Sequence, residues 1–129
     1  MAGTEAEGIR AAIGEMIDAQ DAGDAGRLRS LPSEWPDAVH IGTDVGEWWT
    51  SGELLDAVAV GGDGDIQMIA DDVRIKDDVA WTEGRGRVTS QSGCARPVRM
   101  TGVLIREHGR WTMAQSHASI VVPNADIFS

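Results

Sequence analysis

The fold is decided by residues 96–119, which read Arg96-Pro-Val-Arg-Met-Thr-Gly-Val-Leu-Ile-Arg-Glu-His108, then Gly109-Arg110, then Trp111-Thr-Met-Ala-Gln-Ser-His-Ala-Ser119. Both long segments alternate between two kinds of side chain, as strands with two different faces do. The two-residue Gly-Arg junction is typical of a tight β-hairpin. The stretch therefore predicts two antiparallel strands at the end of a sheet.

The second of these strands carries the candidate site. Because strand side chains repeat with period two, one face carries Trp111, Met113, Gln115, His117 and Ser119 and changes from apolar to polar along the strand. Such a face suits the wall of a small-molecule pocket, where a few polar groups orient a ligand in an apolar lining. His117 is the candidate catalytic residue, because histidine exchanges protons near neutral pH. The alternative is a buried histidine whose hydrogen bonds are structural.

The preceding sequence predicts helices followed by strands. Apolar residues at helical spacing follow Thr4-Glu-Ala-Glu7, and Thr50-Ser-Gly-Glu53 opens a further helix. Both tetrapeptides are capping boxes. A short helix and a short strand are expected between them. From residue 66 the period becomes two, which predicts strands over 66–76 and 79–90 joined by a turn at Asp77-Asp78. Helices followed by antiparallel strands indicate an α+β fold.

Length, charge and cysteine content limit the class of protein. With 129 residues, the chain is predicted to form one domain over residues 1–129. Its formal net charge of −10 argues against nucleic acid and anionic membranes as partners. No basic-then-apolar leader opens the sequence and no apolar run approaches the ~20 residues of a membrane helix, so we expect a cytoplasmic protein. A single cysteine, Cys94, excludes an intrachain disulfide and a multi-cysteine zinc cluster.

A second group of polar residues surrounds the short strand at 39–42. His40, Asp44 and Glu47 lie at its end, where loops often carry function, so one interpretation is an acid or base at a pocket mouth. The interpretation we favour is a turn in which Thr43 or Asp44 caps backbone amides. Spacing does not indicate that His117 joins them around a metal, and we expect neither a metal nor a cofactor.

The aromatic residues are unusual, with five tryptophans, one phenylalanine and no tyrosine. Trp48 and Trp49 are adjacent, so both cannot point inward from an extended segment. One of them is expected to line a cavity mouth or a subunit contact. Either can fill that role, and Trp48 joins His40 in the candidate ligand-binding set.

Four groups of segments in this order form a recognisable pattern: His40-Ile-Gly-Thr-Asp44 with Glu47-Trp48, Val79-Ala-Trp81, Met100-Thr-Gly-Val103, and Trp111 through His117-Ala-Ser119 with Val122-Pro-Asn124. Together they resemble the nuclear transport factor 2-like superfamily, and within it the SnoaL-like group. The resemblance covers residues 5–124 and implies a cone-shaped, curved antiparallel sheet wrapped around N-terminal helices and a cavity, usually in a dimer. It does not imply one function, since one fold hosts many.

The leading hypothesis for function is a pocket protein that binds a small, largely apolar molecule. One alternative is a cofactor-free isomerase or cyclase in which His117 is the general acid/base and Gln115 orients the substrate. Another is a structural dimerisation module. Ketosteroid isomerases of the superfamily polarise a carbonyl with a tyrosine hydroxyl and a protonated aspartic acid. Without tyrosine, that oxyanion hole cannot be assembled here.

The outer face of the sheet predicts a homodimer. It carries apolar residues, among them Val103 and Ile105 or their neighbours. A face of that kind is commonly buried against a symmetry mate. We therefore expect two copies to associate through the sheet.

Overall fold

The computed structural model describes residues 2–60 and 64–128, with the side chains of residues 2–4, 64, 69 and 70 excepted. Helices lead and strands follow, which confirms the α+β prediction. No helix in these ranges is long and apolar enough to span a membrane. The elements are α1 (Ala2–Asp21), α2 (Ala25–Leu28), β1 (Val39–Ile41), β2 (Trp48–Trp49), α3 (Ser51–Val60), β3 (Gly64–Lys76), β4 (Val79–Ser90), β5 (Ala95–Glu107), β6 (Arg110–Ile120) and α4 (Ala125–Phe128).

The capping box predicted at Thr50 is present at the start of α3. The Thr50 amide donates to Glu53 Oε1 at 3.0 Å, and the Glu53 amide donates to Thr50 Oγ1 at 3.2 Å. Each residue therefore satisfies a backbone group of the other, as the motif requires. Helix α1 begins at Ala2, two residues before the predicted start, so Thr4 lies within its first turn.

The sheet has six strands in the order β2-β1-β6-β5-β4-β3. Strands β3 to β6 form the predicted antiparallel meander. Strand β1 pairs with β6 in parallel, so the sheet is mixed and the expectation of a wholly antiparallel sheet is wrong. No tight turn joins β1 to β6, so the pairing direction is free of the constraint that a hairpin imposes. The curved sheet is not closed into a barrel, because β2 and β3 form its two edges.

Two-residue loops join β3 to β4 and β5 to β6. Asp77-Asp78 links β3 to β4, as predicted. Between β5 and β6, Glu107 pairs with Arg110, so the loop is His108-Gly109, one residue earlier than predicted. His108 and Gly109 have φ angles of 52° and 78°. Positive φ at both central residues is the signature of a type I′ hairpin turn, which matches the twist of the strands.

Helices α1, α2 and α3 pack on one side of the sheet, which we call the core face; the other side is the open face. Ile9 of α1 and Leu28 of α2 are completely buried against Leu104 of β5, which is 1% exposed. Ala80 and Met113 from the neighbouring strands join the same cluster. Burial of this apolar cluster is the main stabilising contribution to the fold.

A β-bulge interrupts strand β6. Met113 lies opposite Leu104, whereas Gln115 lies opposite Val103, so Ala114 is the extra residue. Leu104 and Val103 are consecutive on β5 and point to opposite faces. Residues directly opposite each other share a face, so Met113 and Gln115 also point to opposite faces.

The bulge overturns the prediction that five side chains of β6 share one face. Trp111 and Met113 lie on the core face, where both pack with the apolar cluster. Gln115, His117 and Ser119 lie on the open face, and the first two are exposed to solvent. One inserted residue moves every later side chain of the strand to the other side of the sheet.

Candidate functional site

Beyond the bulge, Ser116 rather than His117 points to the core face. Ser116 lies opposite His40 of β1 on one side and Gly102 of β5 on the other. Trp49 lies opposite His40, and Thr82 lies opposite Gly102. These five residues form one row across the core face, which we call the His40 row.

His40 is the central polar residue of this row and is 2% exposed. Its Nδ1 lies 2.9 Å from the Ser116 hydroxyl, and its Nε2 lies 3.1 Å from the Ser51 hydroxyl at the start of α3. Burial lowers the pKa of His40 to about 4, so the ring is neutral at pH 7. Both ring nitrogens of this buried histidine therefore have partners, as burial demands.

The partners assign the tautomer of His40. Ser51 donates its only hydroxyl hydrogen to the carbonyl oxygen of Ser33 at 2.6 Å. Ser51 therefore accepts from His40, and the ring hydrogen lies on Nε2. Nδ1 carries no hydrogen, so it accepts from the Ser116 hydroxyl. The hydrogen bonds run in one direction, from Ser116 through His40 and Ser51 to Ser33.

Ser33 anchors the end of this chain of hydrogen bonds. The residue is completely buried, and its amide donates to the carbonyl of Met113 at 2.8 Å. Its hydroxyl donates to Glu107 Oε2 at 3.0 Å and accepts from the Trp35 amide at 3.0 Å. Glu107 also accepts from Thr112. These contacts fix the segment after α2 on the sheet and hold the Ser33 carbonyl in place.

Next to the His40 row lies a second row that the helices cover incompletely. Gly84, Met100 and Ala118 oppose one another across β4, β5 and β6 and are half-buried, although they lie on the core face. We call them the half-open layer. At its β3 end lies Asp71, whose Oδ1 is 3.5 Å from Nε of Arg10. Two of the three residues, Gly84 and Ala118, are small, so this layer combines small side chains with incomplete cover by the helices.

The other predicted pocket residues of β6 belong to the packed core. Trp111 is half-buried, and the guanidinium of Arg106 lies 4.5 Å from the centre of its ring. Met113 is 5% exposed and covers Gly102, where an added Cβ would lie 2.9 Å from the Met113 sulfur. The side chains of Trp111 and Met113 therefore stabilise the part of the core next to the His40 row.

The structure distinguishes the two adjacent tryptophans. Trp48 is 70% exposed and lies opposite Ile41, on the open face. Trp49 is half-buried, lies opposite His40 and packs with the core cluster. Trp49 is therefore the tryptophan that belongs to the His40 row.

The acidic residues after β1 cap a turn, as the favoured interpretation predicts. The Asp44 amide donates to Glu47 Oε1 at 2.8 Å, and the Val45 amide donates to Asp44 Oδ1 at 2.8 Å. Both carboxylates thus satisfy backbone groups of the turn itself. Within the described ranges, no three His, Cys, Asp or Glu side chains converge as a metal site would require.

A separate open cleft of about 490 Å³ lies between α1 and the beginning of β3. Ile17, Asp18, Asp21 and Ile66 contribute to its walls. Asp21 accepts a hydrogen bond from the Ile66 amide, and burial together with the nearby Asp65 raises the pKa of Asp21 to about 6. None of the predicted pocket residues borders this cleft.

Ser51 and Ser116 were missed as site residues from the sequence. Ser51 follows the Thr50 cap and is inconspicuous within that motif. Ser116 lies at an even position of a strand whose apolar side chains, Trp111 and Met113, are at odd positions. A signal was present, because after Ala114 the even positions Ser116 and Ala118 are small, whereas the odd positions Gln115 and His117 are large and polar.

The similarity of this chain to solved structures concerns the fold and does not identify a reaction. A candidate dehydratase of the nuclear transport factor 2-like family from Streptomyces avermitilis superimposes with a TM-score of 0.80 at 22% identity, over 95% of this chain and 100% of that one. An uncharacterised protein with a cystatin-like fold from Caulobacter vibrioides gives 0.75 at 19%, over 94% and 92%. A nuclear transport factor 2-like protein of unknown function from Shewanella oneidensis gives 0.69 at 14%, over 88% and 97%.

At these identities the likeness of structure describes the fold and nothing finer. No curated protein matches this sequence. The family model for the SnoaL-like domain matches residues 9–123, which is most of the chain. The chain therefore belongs to the SnoaL-like domain family.

Proposed function

We propose that this protein binds a small, largely apolar molecule on the core face, against the half-open layer. Ser116 and His40 provide the polar contact, and Met100, Ala118 and Trp49 provide the apolar lining. The observation that carries the proposal is the half-buried Ser116 hydroxyl, which is held by a buried neutral histidine beside an incompletely covered apolar surface. Few polar groups in an apolar lining are typical of small-molecule sites.

This proposal changes the residues of the predicted site but keeps its character. His40 remains in the set, and Ser116 takes the place of His117 and Gln115. The latter two, with Ser119, lie on the open face and cannot contact a ligand on the core face.

The charges around the half-open layer favour an uncharged ligand. His40 is neutral at pH 7, because burial lowers its pKa to about 4. The carboxylate of Asp71 is accompanied by the guanidinium of Arg10 at 3.5 Å. Among the described residues that border this layer, an anionic ligand would therefore find no free cation to offset its desolvation.

Binding of a neutral apolar dye tests the proposal. We expect N-phenyl-1-naphthylamine to bind saturably, with enhanced fluorescence, and Ala118→Leu to weaken it at least about tenfold by filling the half-open layer. Thr101→Leu is the matched control, because Thr101 is exposed on the open face. Equal affinity of the two variants would place the dye elsewhere, and no saturable binding would remove the proposed function.

A second candidate function is a cofactor-free isomerase or cyclase, with His40 in the role first predicted for His117. The observation in its favour is the 2.9 Å hydrogen bond between Ser116 and His40 Nδ1, which gives the serine an adjacent proton acceptor. A pKa of about 4 makes His40 a weak base, so binding remains the leading proposal. Turnover of an enolisable substrate that His40→Gln abolishes without loss of binding would establish catalysis.

We also propose that the protein forms a homodimer through the open face. Trp81 lies opposite Val103, and Val79 lies opposite Ile105, so the four form a continuous apolar patch. Trp81 and Val79 remain 41% and 42% exposed in the single chain. Contact with a second copy would bury this patch.

Light scattering at micromolar concentration tests the dimer. We expect twice the chain mass for the wild type and the monomer mass for Val103→Asp, with Thr101→Asp as the control on the same strand and face but outside the patch. A monomeric wild type would contradict the proposal. A dimer that binds no dye would favour the structural dimerisation module.

A further inference from the structure

We infer that the ligand of this site presents a hydrogen-bond donor, such as an alcohol, phenol or enol O–H, to Ser116, and that a molecule with only an acceptor at that position is disfavoured. This inference rests on the proposed function and specifies its ligand class. It follows from where each polar hydrogen of the chain from Ser116 to Ser33 is used.

The series of hydrogen bonds from Ser116 to Ser33 contains three polar hydrogens, and all three are donated to other groups of the protein. Ser51 donates to the Ser33 carbonyl, His40 donates from Nε2 to Ser51, and Ser116 donates to His40 Nδ1. A serine hydroxyl has one hydrogen and two lone pairs. Ser116 has no other hydrogen-bond partner in the described part of the chain, so its oxygen can offer a ligand only lone pairs.

The direction of this series of hydrogen bonds is fixed at its buried end, the Ser33 carbonyl. To reverse it, Ser51 would have to donate to His40 and leave the Ser33 carbonyl, 2.6 Å away, without a donor. Ser33 is completely buried, so water has no access to replace the lost bond. An unpaired buried carbonyl is costly, and the chain therefore keeps its direction.

Among the described residues, the direct neighbours of Ser116 toward the half-open layer supply no other donor to the ligand. They are Gly102, Ala118 and Met100, whose side chains have no polar hydrogen, and the Thr82 hydroxyl lies beyond Gly102 in the His40 row. A carbonyl or ether oxygen placed against Ser116 would meet a second acceptor and lose its water without compensation. A hydroxyl at the same place would find a partner. The site thus discriminates by hydrogen-bond polarity.

Three naphthalenes of equal ring size test the inference. 2-Naphthol carries a donor, 2-methoxynaphthalene carries an acceptor only, and 2-naphthoate carries an anion. By isothermal titration calorimetry on the full chain at pH 7, we expect 2-naphthol to bind at least about tenfold more tightly than either of the others. Equal or tighter binding of 2-methoxynaphthalene would overturn the donor requirement and leave the pocket standing. If no naphthalene and no dye binds, the proposed function fails together with it.

Two variants separate hydrogen-bond polarity from general damage. Ser116→Ala should bind 2-naphthol and 2-methoxynaphthalene with affinities within about threefold of each other. Ser51→Ala removes the acceptor of the Nε2 hydrogen, so the ring can move its hydrogen to Nδ1 and free Ser116 to donate. The preference for 2-naphthol should then shrink or reverse. Ser119→Ala on the open face is the control and should keep the tenfold preference. A preference unchanged in Ser116→Ala would contradict the inference.

The tautomer gives a readout that does not depend on any variant folding. In a long-range ¹H–¹⁵N spectrum of the wild type, we expect His40 Nε2 to carry the hydrogen and Nδ1 to be unprotonated at pH 7. A hydrogen on Nδ1 would make Ser116 an acceptor from His40 and a donor to the ligand. That result would overturn the inference directly.

Discussion

Two histidines lie at neighbouring positions of the same sheet, but one is buried and the other is exposed. His40 pairs with Ser116 and His117 pairs with Ile41, so the two are separated by one step along β1 and β6. His40 is buried with a hydroxyl at each ring nitrogen, whereas His117 is exposed on the open face. Because both residues are histidines, the difference in burial and hydrogen bonding comes from the face of the sheet on which each one lies.

The largest expected contrast is in stability. His40→Ala leaves a cavity and removes the partners of Ser116 and Ser51, so we expect the free energy of unfolding to fall by about 4 kcal/mol. His117→Ala should change it by less than about 0.5 kcal/mol, because the side chain is exposed. Urea unfolding followed by tryptophan fluorescence measures both. Equal losses would mean that the two faces do not differ as described.

The pH dependence of stability sharpens the same contrast. The pKa of His40 is about 4 in the folded chain and about 6.5 when unfolded, so the unfolded state binds more protons between these values. Stability is therefore full above pH 6.5 and falls as the pH drops toward 4, by up to about 3 kcal/mol.

His40→Gln isolates this effect. The variant should lack the loss of unfolding free energy that is due to His40. Other titrating groups, such as Asp21, contribute to both proteins and cancel in the difference. Urea midpoints at several pH values between 4 and 7.5 measure the difference between the two proteins. Parallel profiles for wild type and variant would contradict the assignment of the loss to His40.

A smaller contrast is expected on β5, where adjacent residues face opposite ways. Gly102→Ala places a Cβ 2.9 Å from the Met113 sulfur and 3.1 Å from Thr82 Oγ1, so those side chains must move. We expect a loss of about 1.5 kcal/mol in the free energy of unfolding. Thr101→Ala, one residue away on the open face, should change it by less than about 0.5 kcal/mol. A tolerated Gly102→Ala would show that the His40 row has spare room.

The smallest effect concerns charge on the open face. Arg85 and Arg99 lie directly opposite each other on β4 and β5, an arrangement that is unfavourable for like charges. Arg99→Glu should therefore raise the free energy of unfolding by about 0.5 kcal/mol at low salt. Arg96→Glu on the same strand, opposite Val88, is the control for the general change of charge. Equal shifts in both variants would remove the specific role of the pair.

The sequence predicts those parts of the fold that depend on local signals. The Thr50 capping box, the Asp77-Asp78 turn and the order of helices and strands need only neighbours along the chain. The parallel pairing of β1 with β6 joins distant segments and has no local signal. It is therefore beyond reach of periodicity arguments, and with it the pairing of His40 with Ser116.

The candidate site was predicted on β6, but its alternation has the wrong phase beyond Ala114. The bulge at Ala114 is marked by neither glycine nor proline, so the alternation was extended through it. The cost of burying Gln115 and His117, compared with Ser116 and Ala118, is the physical argument that indicates the change of phase. Long polar side chains are more favourable in contact with water than buried without partners.

The parallel pairing of β1 with β6 also sets when the proposed site can form during synthesis. Ser116 follows His40 by 76 residues, so the ribosome releases α1, α2 and β1 long before their partner strand is made. The β3–β6 hairpins form between sequence neighbours, but the docking of β1 on the long strands must wait until β6 has been made. Until then the side of β1 that faces away from β2 is an unpaired edge, and the proposed site is incomplete. A ligand bound at that site would therefore stabilise only chains in which β6 is present.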